Sequence, residues 1–198
     1  MNFKTPQLLS PTPPIPEVPA YHIWHRVQRK NGRSDSVRLN GYVLAAPGGR
    51  AGRCDVAGEP AAYLDDSPET ALYKSLFRRE VRSCHITRIE QRALVSFETR
   101  LPVRLVDLRG LEEQFPVLQS MRYDTSQAFA QACVGQALHG VLYASAQHPR
   151  HSCAGLFQSG IERTRKVEVT ALVQSGTMLL DKAVVVAARG CEVPILQC

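Results

Sequence analysis

Short apolar runs alternate with amphipathic stretches along the chain, and this pattern predicts a mixture of strands and helices. Apolar runs of strand length occur at residues 21–27, 41–45, 61–64, 93–97, 103–108 and 141–146. Apolar residues at helical spacing predict one helix from Pro68 to about Val81 and a second from Tyr123 to about Leu138. Ser67 is the expected N-cap of the first helix, with Pro68 at its first position. This alternation favours an α+β fold.

The two ends of the chain carry less information. Residues 6–19 hold six prolines, which exclude a helix, so residues 1–19 are interpreted as an extended arm with no role in the core. Residues 20–198 are then one domain. Residues 158–198 are β-prone in part, at residues 167–173, 178–180 and 183–188, and suggest no chemistry.

Length and composition limit the class of protein. A chain of 198 residues with 44% hydrophobic residues is long enough for one packed domain and short for two. No apolar run approaches the roughly 18 residues that cross a membrane. The N-terminus has no apolar core of signal-peptide length, and we therefore expect a cytoplasmic protein.

The chain is basic, with a formal net charge of +6. Its basic residues are spread along the sequence without a recognisable nucleic-acid-binding motif, so a nucleic-acid-binding domain is the least favoured interpretation. A polyanionic small molecule or an acidic protein partner fits the charge equally well.

Cysteines and histidines do not form a regular metal-ligand pattern. The six cysteines have no CxxC spacing and are expected to be reduced thiols. His22, His25, His148 and His151 form, with Cys153, one loose group without a second ligand pair at zinc-site spacing. We therefore expect no metal.

Residues 52–76 contain the densest group of candidate binding residues. Arg53 follows Gly52, a Gly-Glu-Pro turn begins at Gly58, and Tyr63 lies on a strand that leads to the helix start. A guanidinium beside flexible backbone, a phenol and a helix N-terminus suit an anionic ligand with an aromatic group. A surface loop before an ordinary strand and helix remains the alternative.

The pattern Gly-Arg-x-x-x-x-Gly-x-Pro-x-x-Tyr-Leu followed by Ser-Pro-Glu-x-Ala-Leu resembles the central motif of the RES domain family. Three flanking features extend the resemblance over about residues 20–160. Arg26 matches the arginine of the family's first strand, residues 103–110 resemble its "vLDL" strand, and Ser145 matches the serine after its Gly-hydrophobic-x-Tyr strand. Residues 155–157 resemble the edge strand that follows.

The resemblance implies an ADP-ribosyltransferase-like mixed β-sheet core with flanking helices. It implies a toxin that uses NAD+ as its substrate and no metal, and that cleaves the nicotinamide–ribose bond, by degradation of NAD+ or by ADP-ribose transfer. The implied partner is an Xre-type helix-turn-helix antitoxin, through which nucleic acid is contacted only indirectly. A homodimer is left open, and no membrane is involved.

Site roles follow from the same resemblance. Arg26 and Arg53 would bind the phosphates, Tyr63 the nicotinamide ribose, and Ser145 the ribose or the carboxamide. Lys74 stands where the family has its glutamate, and an ammonium there would oppose a cationic transition state. The catalytic set is thus Arg53, Tyr63, Ser145 and the position of Lys74.

Other residues near the motif also differ from the family pattern. Cys54 and Asp55 replace a tryptophan and an asparagine, and Asp55, Asp65 or Asp66 could supply a carboxylate from a loop. A catalytically impaired protein that binds NAD+, ADP-ribose or a partner without turnover is the alternative function.

Overall fold

The computed structural model describes residues 13–48, 52–119, 123–174 and 176–197. Within them the strands are Glu17–Val18 (β1), Ile23–Arg29 (β2), Val37–Leu39 (β3), Tyr42–Leu44 (β4), Ala62–Asp65 (β5), Cys84–His85 (β6), Arg92–Thr99 (β7), Val103–Asp107 (β8), Gly140–Ala144 (β9), Ser152–Leu156 (β10), Thr164–Ala171 (β11) and Ile195–Leu196 (β12). The helices are Pro68–Ser75 (α1), Ile86–Glu90 (α2), Pro116–Gln119 (α3), Tyr123–Gly135 (α4), Gln158–Ile161 (α5) and Lys182–Gly190 (α6). No helix in these ranges is long and apolar enough to cross a membrane.

Eight of these strands form one mixed sheet in the order β1-β8-β9-β10-β5-β2-β7-β11. Strands β8 and β9 run parallel, and the chain between them contains α3 and α4; the other neighbouring pairs are antiparallel. Strands β2 and β5 are paired at one position only, where His25 lies opposite Asp65. The sheet therefore has a seam between β5 and β2. This arrangement confirms the predicted α+β fold with a mixed sheet and flanking helices.

Apolar side chains pack on both faces of the sheet. One face buries Trp24 and Leu64 with Tyr42, whose ring stacks on Phe97 at a centroid distance of 3.7 Å. Two further clusters fix the helices. One joins α1 to α6, and the other contains Phe129 of α4. These contacts hold α1 and α4 close to the strands that carry the candidate site.

Helix α1 begins where the sequence predicts, at Pro68, with Ser67 as its N-cap. The Ser67 hydroxyl accepts a hydrogen bond from the backbone N–H of Thr70 at 3.2 Å. The helix ends earlier than predicted, at Ser75, because Leu76 and Phe77 both turn into the core and both donate backbone hydrogen bonds to Leu72 O.

We expect Ser67→Ala to lower the free energy of unfolding by about 1 kcal/mol, because it removes the side-chain acceptor at the start of α1. Urea denaturation measures the change. Ser67→Asp keeps an acceptor at the same position and serves as the control. An equal loss of stability in both variants would show that the cap is not the cause.

Three other expectations differ from the structure. Residues 183–188 lie in α6 rather than in a strand, because Asp181 caps the helix and Val184 and Ala187 are buried against α1. Strand β10 is central rather than an edge strand, since it pairs with both β9 and β5. The proline-rich arm also contributes to the fold, because β1 pairs with β8 and Val18 packs against the core.

Candidate active site

A cavity of about 280 Å³ opens at the seam between β2 and β5. Arg26 of β2 and Tyr63 of β5 line it together with two loop segments, residues 45–48 and parts of 52–61. Asp55 and Glu59 contribute two carboxylates to the same lining. The two strands are paired at a single position, so they separate beyond it, and the cavity lies in this opening.

Arg26 spans the seam. Its Nη1 donates a hydrogen bond to the carbonyl oxygen of Tyr63 at 2.8 Å, while Nε has no partner among the described residues. Burial lowers the pKa of Arg26, although the surrounding tyrosines and Asp65 act in the opposite direction. A half-buried guanidinium that lines a cavity is suited to binding an anion.

Tyr63 is held by a network built on the turn at residues 52–55. Its hydroxyl donates to Asp55 Oδ1 at 2.6 Å and accepts from the backbone N–H of Cys54 at 2.9 Å. The backbone N–H of Gly52 donates to Asp55 Oδ2 at 2.7 Å. Burial, followed by the neighbouring Cys54 and Asp55, raises the pKa of Tyr63 far above its ordinary value. Tyr63 therefore stays protonated and orients the carboxylate of Asp55.

Glycine is required at position 52 because a Cβ there would overlap the Tyr63 hydroxyl. A second close approach lies at Gly155 of β10, where a Cβ would come within 2.8 Å of Cys54 Sγ. The small side chain of Cys54 and the absence of one at Gly155 let the turn lie directly on the sheet.

Arg53 does not line the seam cavity. Its guanidinium donates to the carbonyl oxygen of Leu118 and lies 5.9 Å from the ring centroid of Tyr123 and 6.0 Å from that of Tyr143. It borders a smaller neighbouring cavity that it shares with Cys54 and Tyr143. The two arginines that were predicted to bind phosphates therefore border different cavities.

Lys74 forms an ion pair with Asp65, with Nζ 2.6 Å from Oδ1. The Asp65 side chain is 5% exposed and that of Lys74 is 23% exposed. Burial acts to lower the pKa of Lys74, but the attraction of Asp65 outweighs it and the pKa is raised. Asp65 is the last residue of β5 rather than a loop residue, and its partner in β10 is Cys153.

Ser145 belongs to a group around Cys153. Its hydroxyl accepts a hydrogen bond from the backbone N–H of His148 at 3.1 Å, and Ser145 and Asp65 both influence the pKa of the Cys153 side chain beside them. Burial raises the pKa of the Cys153 thiol from 9.0 to about 12, despite the nearby Lys74 ammonium. This thiol is therefore protonated at neutral pH and is not an activated nucleophile.

Two of the histidines noted in the sequence, His148 and His151, have polar side-chain partners. His148 Nδ1 lies 2.7 Å from Thr70 Oγ1, and His151 Nδ1 lies 2.9 Å from Asp66 Oδ1. Among the residues that the structure describes, no three His, Cys, Asp or Glu side chains are placed to hold a metal ion. The five cysteines in the described ranges are free, and Cys198 lies outside them.

Strand register explains which candidates meet. Tyr63 and Asp65 alternate onto one face of β5, and Cys153 and Tyr143 lie opposite Asp65 on the next two strands. Tyr63 and Arg26 both line the cavity because the open seam lets Arg26 reach the backbone of Tyr63, whereas Lys74 and Ser145 meet around Cys153 and do not line it.

Sequence reasoning overlooked two residues of this region. Glu59 was noted only as part of a turn and Cys153 only as a loose neighbour of histidines. The period-two alternation of β5 and β10 is the signal that places Cys153 beside Asp65.

A model of the RES domain family matches residues 23–181, and the chain therefore belongs to the RES domain family. Among solved structures, it is similar to a chain of the crystal structure of the M. tuberculosis MbcT–MbcA toxin–antitoxin complex. The TM-score is 0.57 at 15% sequence identity, over 79% of this chain and 86% of that chain. This likeness concerns the fold. No curated protein matches the chain.

Proposed function

We propose that this protein is a RES-type toxin that acts on NAD+ and breaks its nicotinamide–ribose bond. Membership of the RES family supports an NAD+-directed activity. The observation that carries the proposal is the seam cavity, where a cationic side chain, a phenol and two carboxylates face one space. Arg26 is the cationic side chain in the lining and binds the pyrophosphate, and Tyr63 with Asp55 faces the nicotinamide ribose.

The reaction requires the protein mainly to bind the dinucleotide and to stabilise the positive charge that develops on the ribose. The bond from the nicotinamide nitrogen to C1′ breaks with both electrons leaving on nicotinamide, and the ribose becomes an oxocarbenium ion. An anionic side chain near C1′ lowers the free energy of this state. Water then adds to C1′ and gives up a proton, or a protein nucleophile takes its place and ADP-ribose is transferred.

Asp55 is the carboxylate best placed for this role. It lines the cavity and is oriented by Tyr63 and by the backbone of Gly52. Asp65, in contrast, is held by Lys74 and does not line the cavity. Asp55 therefore compensates for the missing family glutamate.

The proposed partner is an Xre-type antitoxin. The solved relative comes from a toxin–antitoxin complex, and an excess of six positive charges favours an acidic partner segment. Nucleic acid would be reached only through that partner. A cytoplasmic location belongs to the same proposal.

The second candidate is binding without turnover. It is favoured by the Lys74–Asp65 ion pair, which places an ammonium at the position of the family glutamate and neutralises the nearest carboxylate on the sheet. This candidate predicts NAD+ binding by calorimetry with no release of nicotinamide.

The test is to incubate purified protein with NAD+ and to quantify nicotinamide and ADP-ribose by chromatography. We expect nicotinamide release, and we expect Tyr63→Phe to lower kcat/KM about tenfold because the variant loses the hydrogen bond that orients Asp55. Tyr21→Phe is the matched control, since Tyr21 is 76% exposed and does not line the cavity. If the wild-type protein neither binds nor consumes NAD+, both candidates are wrong.

A further inference from the structure

A second cavity of about 280 Å³ adjoins the seam cavity, and the two share Arg26 and Ala45 in their linings. Each alone falls just short of the roughly 300–1,000 Å³ that is typical of small-molecule sites, whereas the two together lie within that range. Arg26 stands at their junction. A ligand whose pyrophosphate binds Arg26 would therefore extend into the second cavity.

Three more arginines, Arg29, Arg33 and Arg92, line the second cavity. Two of them, Arg29 on β2 and Arg92 on β7, form a directly opposite pair on these adjacent antiparallel strands. Both side chains are half-buried. Like charges placed directly opposite on antiparallel strands destabilise a sheet. Such a pair is expected where a bound anion compensates for the repulsion.

Few negative charges balance this cluster. Asp35 is the acidic residue in the lining of the second cavity, and Glu90 borders an adjoining cavity beside Arg29. In the described ranges, none of the ion pairs joins Arg29, Arg33 or Arg92 to a carboxylate. Arg92 instead donates to the carbonyl oxygen of Arg88 at 3.0 Å. Burial, and then the charges of Arg88, Arg29 and Arg33, lower the pKa of Arg92.

We infer that this second cavity is a subsite for a phosphomonoester, such as the 2′-phosphate that distinguishes NADP+ from NAD+. The inference rests on the proposed function, because that function determines where the rest of the dinucleotide binds. A phosphomonoester carries nearly two negative charges and several acceptor oxygens, and the planar donor groups of arginine match that geometry. The pyrophosphate of NAD+ alone leaves these three arginines without an anion.

The test compares two probes that differ in one phosphate, adenosine 2′,5′-bisphosphate and 5′-AMP, by calorimetry at fixed ionic strength. We expect the wild-type protein to bind the bisphosphate at least about tenfold more tightly, as one charge-assisted contact provides. Arg29→Gln should abolish this preference and, without ligand, raise the thermal unfolding temperature because the repulsion with Arg92 is removed. Arg33→Gln should weaken the preference without that stabilisation.

Arg100→Gln is the matched control, because Arg100 is exposed, follows the opposite end of β7 and lines neither cavity. It should leave the preference unchanged. Equal affinity for the two probes would overturn the subsite. So would a preference that is lost equally in Arg100→Gln, or binding of heparin but not of the bisphosphate, since these results would reflect general attraction to polyanions.

Failure of the proposed function is distinguishable from failure of the subsite. A bisphosphate preference that depends on Arg29, in a protein that does not bind or consume NAD+, supports the subsite and contradicts the proposed function. NAD+ consumption without a bisphosphate preference supports the proposed function and contradicts the subsite. Free inorganic phosphate, titrated in competition, identifies whether the site takes the phosphate group alone.

Discussion

Lys74→Glu, which restores the family residue, is expected to destabilise the protein by about 3–5 kcal/mol, the usual cost of breaking a buried ion pair. The variant would replace an ammonium 2.6 Å from Asp65 with a second carboxylate. Asp65 is 5% exposed and has little access to water that could screen the repulsion. Urea denaturation, followed through the fluorescence of the buried Trp24, measures the change.

The double variant Lys74→Glu with Asp65→Asn separates charge from shape. An amide at position 65 donates to the new carboxylate instead of repelling it, so we expect most of the lost stability to return. Lys182→Glu is the matched charge reversal at an exposed position, where surface substitutions usually change stability by less than about 0.5 kcal/mol. If Lys74→Glu alone is as stable as the wild type, the ion pair is not a structural element of this site.

The double variant also tests whether a glutamate at position 74 contributes to activity. If the double variant consumes NAD+ faster than the wild type, a glutamate at position 74 contributes to the reaction and Asp55 replaces it only in part. If both proteins turn over at the same rate, Asp55 is sufficient. The single variant does not decide this question, because a loss of folding would also lower its activity.

Local signals in the sequence predicted much of the scaffold. The N-cap Ser67 and the proline after it located the start of α1, and apolar runs located the central strands to within a few residues. These features depend on neighbours in the chain, which a sequence displays directly. The end of α1 was not predictable in this way, because it depends on how Leu76 and Phe77 pack in the cluster that joins α1 to α6.

The candidate site shows the same limit. The resemblance gave Arg26 and Tyr63 roles in one site, and both residues line the seam cavity. It did not show that Lys74 reaches Asp65, since that contact depends on how α1 packs over β5. A continued helix would put Arg78 on the face of Lys74, but the helix ends before it, and Arg78 instead pairs with Glu80 at 2.9 Å.

The stability of the protein is expected to fall steeply as the pH rises above about 9. Burial raises the pKa of three thiols, Cys54, Cys133 and Cys153, from 9.0 to about 12. In the unfolded chain each thiol loses its proton near pH 9, whereas in the folded protein it keeps the proton until about pH 12. The folded state therefore binds more protons throughout this window, and its stability decreases as the pH rises.

Each thiol contributes about 1.4 kcal/mol per pH unit, so the three together contribute about 4 kcal/mol per pH unit in the middle of the window. A small domain has about 5–15 kcal/mol to lose. For a stability of up to about 10 kcal/mol, alkaline unfolding is thus expected within about one to three units above pH 9. Urea denaturation between pH 8 and pH 10.5, with a reductant present, measures the slope. Cys133→Ala should reduce the thiol part of the slope by a third, because it removes one of the three buried thiols. Cys133 lies on α4 and does not line the seam cavity. An unchanged slope in this variant would mean that the buried tyrosines and Lys74, whose pKa values are also raised, cause the alkaline unfolding instead.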